Sequence, residues 1–400
     1  YVGKPIICTN PCAEVPLEDG GACNLGSINL SRFVDNGFTP NASIDWDQLA
    51  DSTATLVRFL DNVVTWNEDL NALEKQRIAA AETRRLGLGV MGIADMLNQL
   101  GVAYDSEQGS IMIEKVMEYI TNAAYQASSF IAKEKSPSPI FNEKSYMECP
   151  FVKEALSEQT HSMIKKNGLR NIAIMSIAPT GSISNIVLGY KGADKNYIGV
   201  SGGVEPIFSV FYTRRSESFG NKFFKVFHST VQAYIDMYGL QKEVDAADDV
   251  DSVLPEYLTR TAHKIDSIKR VGVQGVIQRY IDHSISSTIN LPEDVNPETI
   301  SDIYINAWQN NLKGVTIYRD GSRFPILSTE NKMTKYQTLK TKTYSVMQEN
   351  GETIEILGDD IFKLPDGRLT TMYHYLEDIG APETKESNTN KVKITEEIDA

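Results

Sequence analysis

Histidine and cysteine are scarce, five and four residues in 400, and that scarcity narrows the chemistry before any motif is read. There is no CxxC pair, and the first histidine, His161, lies far along the chain, so zinc held by Cys8, Cys12 and Cys23 lacks the usual ligand spacing. Three of the four cysteines crowd into the first 23 residues, which is not the spread of a disulfide-stapled secreted domain. No apolar run approaches the length of a bilayer span, and residues 1–10 lack the basic-then-apolar order of a signal peptide. A cytoplasmic protein is expected. Positive charge is short as well: with a formal charge of −14 and dispersed basic residues, no footprint for a nucleic-acid backbone or an anionic membrane is present. Any nucleotide must be held locally. What is plentiful is ordinary, 41% hydrophobic and 23% charged residues, as in soluble globular proteins. Tyr1 is not an initiator methionine and the densest chemistry stands at the very start, so the sequence is expected to begin within a longer chain.

Periodicity gives an α/β organisation. Residues 45–66 read as a helix, opened by the Asp45/Gln48 capping pattern and striped by Leu49, Thr53, Leu56, Val57, Leu60 and Val64. A longer helix is expected over 107–132, started by Asp105 and Gln108. Residues 84–97 are helix-prone, with Gly87, Gly89 and Gly92 suggesting close packing. A Pro/Ser-rich loop follows over 135–150, and 171–177 suits a buried strand. Residues 273–281 look helical. The order strand (286–291), helix (opened by Asn296 and Pro297, through Trp308) and strand (314–318) is a βαβ unit with a parallel sheet. After about Pro325 the pattern changes to short alternating stretches, 342–347 and 353–357, around the hairpin signal Asn350-Gly351. Three parts are expected: a main α/β body over 1–325, a small β-rich extension over 326–382 and a disordered tail over 383–400. No internal repeat is visible.

Two constellations carry chemistry. The first is Asn10-Pro11-Cys12-Ala13-Glu14. Pro11 biases the stretch to strand or loop. In an extended chain alternation would put Asn10, Cys12 and Glu14 on one face, where an amide, a thiol and a carboxylate suit radical chemistry on a sugar. A plain Asn-Pro turn followed by a buried cysteine is the alternative for so short a motif. The second is Pro179, Thr180, Gly181, Ser182 and Ile183, whose hydroxyls and N–H groups at the end of a strand would cradle an anion; an ordinary Ser/Thr/Gly turn is its alternative.

The string Thr9-Asn10-Pro11-Cys12-Ala13-Glu14, followed by Cys23-Asn24-Leu25-Gly26-Ser27-Ile28-Asn29-Leu30, closely resembles the active-site finger loop and adjoining redox cysteine of ribonucleotide reductase large subunits. Arg84-Arg85-Leu86-Gly87-Leu88-Gly89-Val90-Met91-Gly92, the loop at 179–183 and Gly202-Gly203-Val204-Glu205-Pro206 follow in that family's order, so the resemblance covers about residues 5–325. It implies the second half of a ten-stranded α/β barrel. It implies Cys12 as the thiyl radical that takes the ribose 3′-hydrogen, Glu14 as base at the 3′-hydroxyl and Asn10 as its hydrogen-bonding partner. Cys23 would be one of two reducing thiols, and 179–183 the substrate-diphosphate loop. Two departures stand out. Ala13 replaces the usual glycine, and Tyr190 to Gly199 is longer than the usual connection.

Where family members driven by a di-metal partner carry two adjacent tyrosines, this chain has Thr316 and Ile317, within Lys313-Gly314-Val315-Thr316-Ile317-Tyr318-Arg319-Asp320-Gly321-Ser322-Arg323. That string is similar to the adenosylcobalamin-dependent class, and the resemblance implies that cofactor. It also implies a ribonucleotide substrate, an N-terminal half of the same enzyme bearing the partner of Cys23, and an external thiol reductant such as thioredoxin; a homodimer is left open. No cysteine follows Cys149, so the family's C-terminal cysteine pair is not in this sequence. A class using a di-metal radical partner, and a non-catalytic fragment, are the competing readings.

Overall fold

The computed structural model describes residues 4–216 and 222–320, then 322, 343–347, 353–358, 360–364, 367–372, 375 and 396–397. The chain divides into two compact units, Tyr1–Asp320 and Gly321–Ala400.

The spine of the first unit is a row of parallel extended segments. Strand Asn24–Asn29 pairs in parallel with Leu86–Met91. That strand passes its hydrogen bonds to the next segment, with Leu86 N–H donating to Ala173 O at 2.9 Å and Ser176 N–H to Leu88 O at 2.8 Å. Ile177 then bridges Ile285 in parallel. The chain beyond Ile285 runs into Thr288–Leu291, which pairs in parallel with Thr316–Arg319. Residues 171–177, expected as a strand, are extended and all buried, yet they form isolated bridges rather than a ladder. The cause is Asp282, whose carboxylate takes the N–H groups of Ile174 and Met175 at 2.8 and 2.7 Å. Among the described residues the segments do not close into a barrel.

Residues 84–97 correct the sequence expectation. They form a fully buried strand, Leu86–Met91, followed by a helix, Ile93–Gln99. The alternation of Leu86, Leu88 and Val90 with glycines is a strand pattern in which glycine clears room for a neighbouring backbone. A Cβ on Gly89 would lie 2.2 Å from the carbonyl oxygen of Ser176. Gly89→Ala should therefore push two central segments apart and cost about 3 kcal/mol or more, read as a lowered urea midpoint; an unchanged midpoint would contradict this packing.

Helix Trp46–Asn67 begins as expected, with the Asp45 side chain accepting from Gln48 N–H at 3.0 Å. The long helix Glu107–Lys135 is capped by Ser106 rather than Asp105, which instead pairs with Arg260. Helix Ser267–Gln278 starts earlier than expected because Asp266 caps it. The Pro/Ser-rich stretch contains a short helix, Glu143–Met147, and Pro150 opens another, Pro150–Ala155. The βαβ unit is present, with helix Pro297–Gln309 capped by Asn296 between its two strands. No helix among the described residues is long and apolar enough to cross a membrane.

In the second unit, Thr343–Met347 and Thr353–Leu357 pair antiparallel around a small core of Ile356, Phe362, Leu364 and Met372. Asn350 and Gly351 lie outside the described residues. So does the tail over 383–400, except Glu396–Glu397, which pairs with Phe362 and Lys363.

Candidate active site

Strands Ile6–Thr9 and Pro16–Glu18 form an antiparallel hairpin whose tip carries Asn10 to Glu14. The tip is a tight turn, not an extended run: Ala13 N–H donates to Asn10 O at 3.0 Å, and Asn10 Oδ1 accepts from Val15 N–H at 3.0 Å. Alternation therefore does not place Asn10, Cys12 and Glu14 on one strand face. Cys12 is exposed at the tip, while Glu14 is 1% exposed. The Glu14 carbonyl is tied down by Ser284 N–H at 2.9 Å and Ser176 Oγ at 3.0 Å, which docks the hairpin onto two central segments. Ala13 sits at φ +64°, the left-handed conformation that favours glycine, so the residue that replaces the family's glycine keeps a glycine-like backbone.

Cys23 immediately precedes strand Asn24–Asn29, and its sulfur lies over Gly87, where a Cβ would come within 2.8 Å. Burial pushes the Cys23 thiol up to about 12; the Arg85 guanidinium pulls it down, and Asp282, Glu14 and Glu18 push it up. One neighbourhood therefore holds Cys23, Glu14 and Glu18 from the hairpin region, Arg85 from just before the glycine-rich strand and Asp282 from the far segment. Glu14 Oε2 is buried and has no hydrogen-bond partner among the described residues.

The 179–183 loop leaves the central segment beside this cluster. Thr180 Oγ1 accepts from Gly203 N–H at 2.8 Å, and Thr180 O accepts from Ser184 N–H at 2.9 Å. Gly181, Ser182 and Ile183 are exposed, and only a short 3-10 turn, Ile183–Asn185, follows. Thr180 joins Ala13 among the non-glycine residues at positive φ, at +53°. The long connection at Tyr190–Gly199 is a small antiparallel hairpin, Leu188–Lys191 with Asn196–Ile198.

Several supporting residues escaped the sequence reading. Glu205 accepts from Arg270 Nη2 at 2.6 Å and from Thr288 N–H at 2.8 Å, fixing the loop after Gly203 to a central strand. Asp282 and His283 hold the segment before Ser284. His283 is buried with Nε2 3.0 Å from Leu86 O, and burial pushes its pKa down to about 4 from an ordinary 6.5. A depressed folded-state value means that stability from this group is present above pH 6.5 and lost as the pH falls through about 4. The loss should reach about 3 kcal/mol. His283→Gln should flatten that part of the urea-midpoint profile, whereas a profile identical to the parent's would exclude His283 as its source.

The residues so arranged match the family model for the ribonucleotide reductase barrel domain over residues 2–318. The chain belongs to the ribonucleotide reductase family. It is 33% identical over 341 residues to the vitamin B12-dependent ribonucleoside-diphosphate reductase of Mycobacterium tuberculosis, covering 80% of this chain and 42% of that protein. Its identity to the enzyme of the same description from Thermoplasma acidophilum is 33% over 369 residues, covering 90% and 42%. The class Id ribonucleotide reductase alpha subunit of Actinobacillus ureae superposes with a TM-score of 0.56 at 21% identity, covering 78% of this chain and 53% of that one. The likeness supports the α/β fold. The chain thus spans about 42% of the length of these curated reductases.

Proposed function

We propose that this chain is the C-terminal half of a ribonucleotide reductase catalytic subunit, reducing ribonucleotides to 2′-deoxyribonucleotides by thiyl-radical chemistry. The observation that carries the reading is a hairpin presenting Cys12 at its tip while delivering a buried, unpartnered Glu14 oxygen next to Cys23. A buried carboxylate oxygen without a partner is costly unless a ligand hydroxyl fills it. The ribose 3′-hydroxyl is such a ligand. In this reading the Cys12 sulfur, as a thiyl radical, takes the 3′-hydrogen and returns it at the end of the cycle, Glu14 accepts the 3′-hydroxyl proton and Asn10 orients the carboxylate. The 2′-hydroxyl leaves as water, and Cys23 with a second thiol supplies two electrons and becomes a disulfide. Pro179, Thr180, Gly181, Ser182 and Ile183 hold the substrate diphosphate, with exposed N–H groups and hydroxyls at the end of a central segment.

The parallel segments 24–29, 86–91, 173–177, 283–291 and 316–319 are read as one half of a ten-stranded barrel. The partners are then an N-terminal half bearing the second thiol and an external dithiol such as thioredoxin. The names of the curated relatives support adenosylcobalamin as the cofactor. The chain's residues suit it: Cys12 is open to an approaching group, and Thr316 and Ile317 offer no redox-active side chain to replace one. When bound, adenosylcobalamin supplies the one-electron chemistry that starts the cycle.

The test is a single-turnover assay of the assembled protein without external reductant. About one deoxyribonucleotide per site should form, and the Cys23 thiol should disappear from the free-thiol count in step. Absence of product, or product with Cys23 still free, would overturn the reading.

A further inference from the structure

Behind the loop at 179–183 lies a buried carboxylate that the proposed cycle does not use. Asp95, on helix Ile93–Gln99, is fully buried, and among the described residues no lysine or arginine pairs with it. The base that approaches it is His228, whose Nδ1 stands 3.7 Å from Oδ1, beyond hydrogen-bond reach. A buried carboxylate is costly unless hydrogen bonds take up its charge, and here neutral donors do so. Oδ2 accepts from both the N–H and the hydroxyl of Ser201, each at 2.7 Å. Oδ1 accepts from the hydroxyl of Thr230, at the start of helix Ser229–Tyr238. Two bonds to one residue make Ser201 the group that Asp95 holds. Ser201 in turn belongs to a short segment that grips the loop at both ends. Val200 N–H donates to Ser184 O at 2.9 Å on the far side, and Gly203 N–H donates to Thr180 Oγ1 at 2.8 Å on the near side. The backbones between these grips are close: a Cβ on Gly202 would lie 2.6 Å from Pro179 O, and one on Gly203 2.8 Å from Ala178 O. Ser201 O also takes Gly92 N–H at 2.8 Å, which ties the segment to the residue that precedes the Asp95 helix.

We infer that Asp95 is a positioning residue for the substrate diphosphate: through Ser201 it fixes residues 200–203, and they hold the loop's N–H groups and hydroxyls in one anion-binding geometry. The inference rests on the reading of 179–183 as the diphosphate loop. Between the two grips Gly181, Ser182 and Ile183 are exposed, and Thr180 sits at φ +53°, a conformation that persists where its surroundings impose it. A shift of residues 200–203 would carry both ends of the loop with it. An anion cradle built from N–H groups works when those groups converge, so the loss of Asp95 should fall on phosphate recognition. Asp95 itself does not touch the nucleotide in this reading. Its oxygens are occupied by Ser201 and Thr230, and its effect is geometric.

The assembled protein tests this by equilibrium binding of cytidine diphosphate and, separately, of cytidine, because the ratio of the two dissociation constants isolates what the phosphates contribute. Asp95→Ala should shrink that ratio about tenfold, the order of one hydrogen bond to a charged group. Asp95→Asn keeps an acceptor for Ser201 without the charge and should stay within about threefold of the parent. A merely structural role would lower the urea midpoint of Asp95→Ala and leave the ratio at the parent's value, and that result would overturn the proposal. Should Asp95→Ala not fold, Ser201→Ala decides, since it removes one of the two bonds to Asp95. Its ratio should fall about threefold, and an unchanged ratio sinks the idea. Gly181→Val tests the loop reading itself: a Cβ there meets nothing within 4 Å, so the larger side chain fills the cradle and leaves the fold alone. If Gly181→Val binds the diphosphate as tightly as the parent, the loop reading fails and this proposal falls with it. If Gly181→Val loses the phosphate contribution while Asp95→Ala keeps it, the role of Asp95 alone is refuted.

Discussion

Cys12→Ser in the assembled protein should abolish nucleotide reduction, together with any substrate-derived radical signal in electron paramagnetic resonance. Serine keeps the size and the turn, but its O–H bond is much stronger than a thiol S–H, so an oxygen radical could not form and reform at this position. The loss should be at least about 10⁴-fold, which corresponds to more than about 5 kcal/mol of barrier. Folding should be untouched, because Cys12 is exposed at the hairpin tip and the turn is held by Asn10, Ala13 and Val15. Cys23→Ser should behave differently, blocking completed turnover after the radical step. A Cys12→Ser protein that turns over normally would remove Cys12 from the mechanism.

The difference between these two cysteines could be read from the sequence only through motif spacing, and the fold explains why. Helices announced themselves: Asp45 caps helix Trp46–Asn67, and Asn296 with Pro297 opens helix Pro297–Gln309, since capping and periodicity are local properties. The glycine-rich strand Leu86–Met91 did not, because glycine lowers local propensity for strand and helix alike, and only the carbonyl of Ser176 across the sheet shows what the glycines make room for. The candidate site was legible in its motifs but not in its shape. The rule of alternating faces fails at Asn10 to Glu14 because a hairpin turn intervenes. Glu14, Cys23, Arg85 and Asp282 meet across 268 positions of sequence, from 14 to 282, and no local pattern reports such a meeting. Asp282, which interrupts the expected strand at 171–177, is invisible to periodicity for the same reason.

Omitting adenosylcobalamin should reduce turnover of the assembled protein to background, and adding a di-iron or di-manganese partner protein should not restore it. The argument starts from strand Thr316–Arg319, paired residue for residue with Thr288–Leu291. A radical arriving from a separate subunit must hop through side chains that can be oxidised and re-reduced. In family members of that kind two adjacent tyrosines perform the last hop to the active-site cysteine. Here Thr316 is exposed and Ile317 half-buried at those positions, and neither side chain has an accessible oxidation step. Tyr318, two positions on, shares the face of Thr316 rather than that of Ile317, and a lone tyrosine there does not make the adjacent pair. In the proposed reading the radical then originates within reach of Cys12, which the exposed hairpin tip allows. The measurement is deoxyribonucleotide formation with each radical source supplied alone. Turnover with the di-metal partner and no cobalamin would show that the radical source is misassigned, while the roles of Cys12, Glu14 and Cys23 would stand.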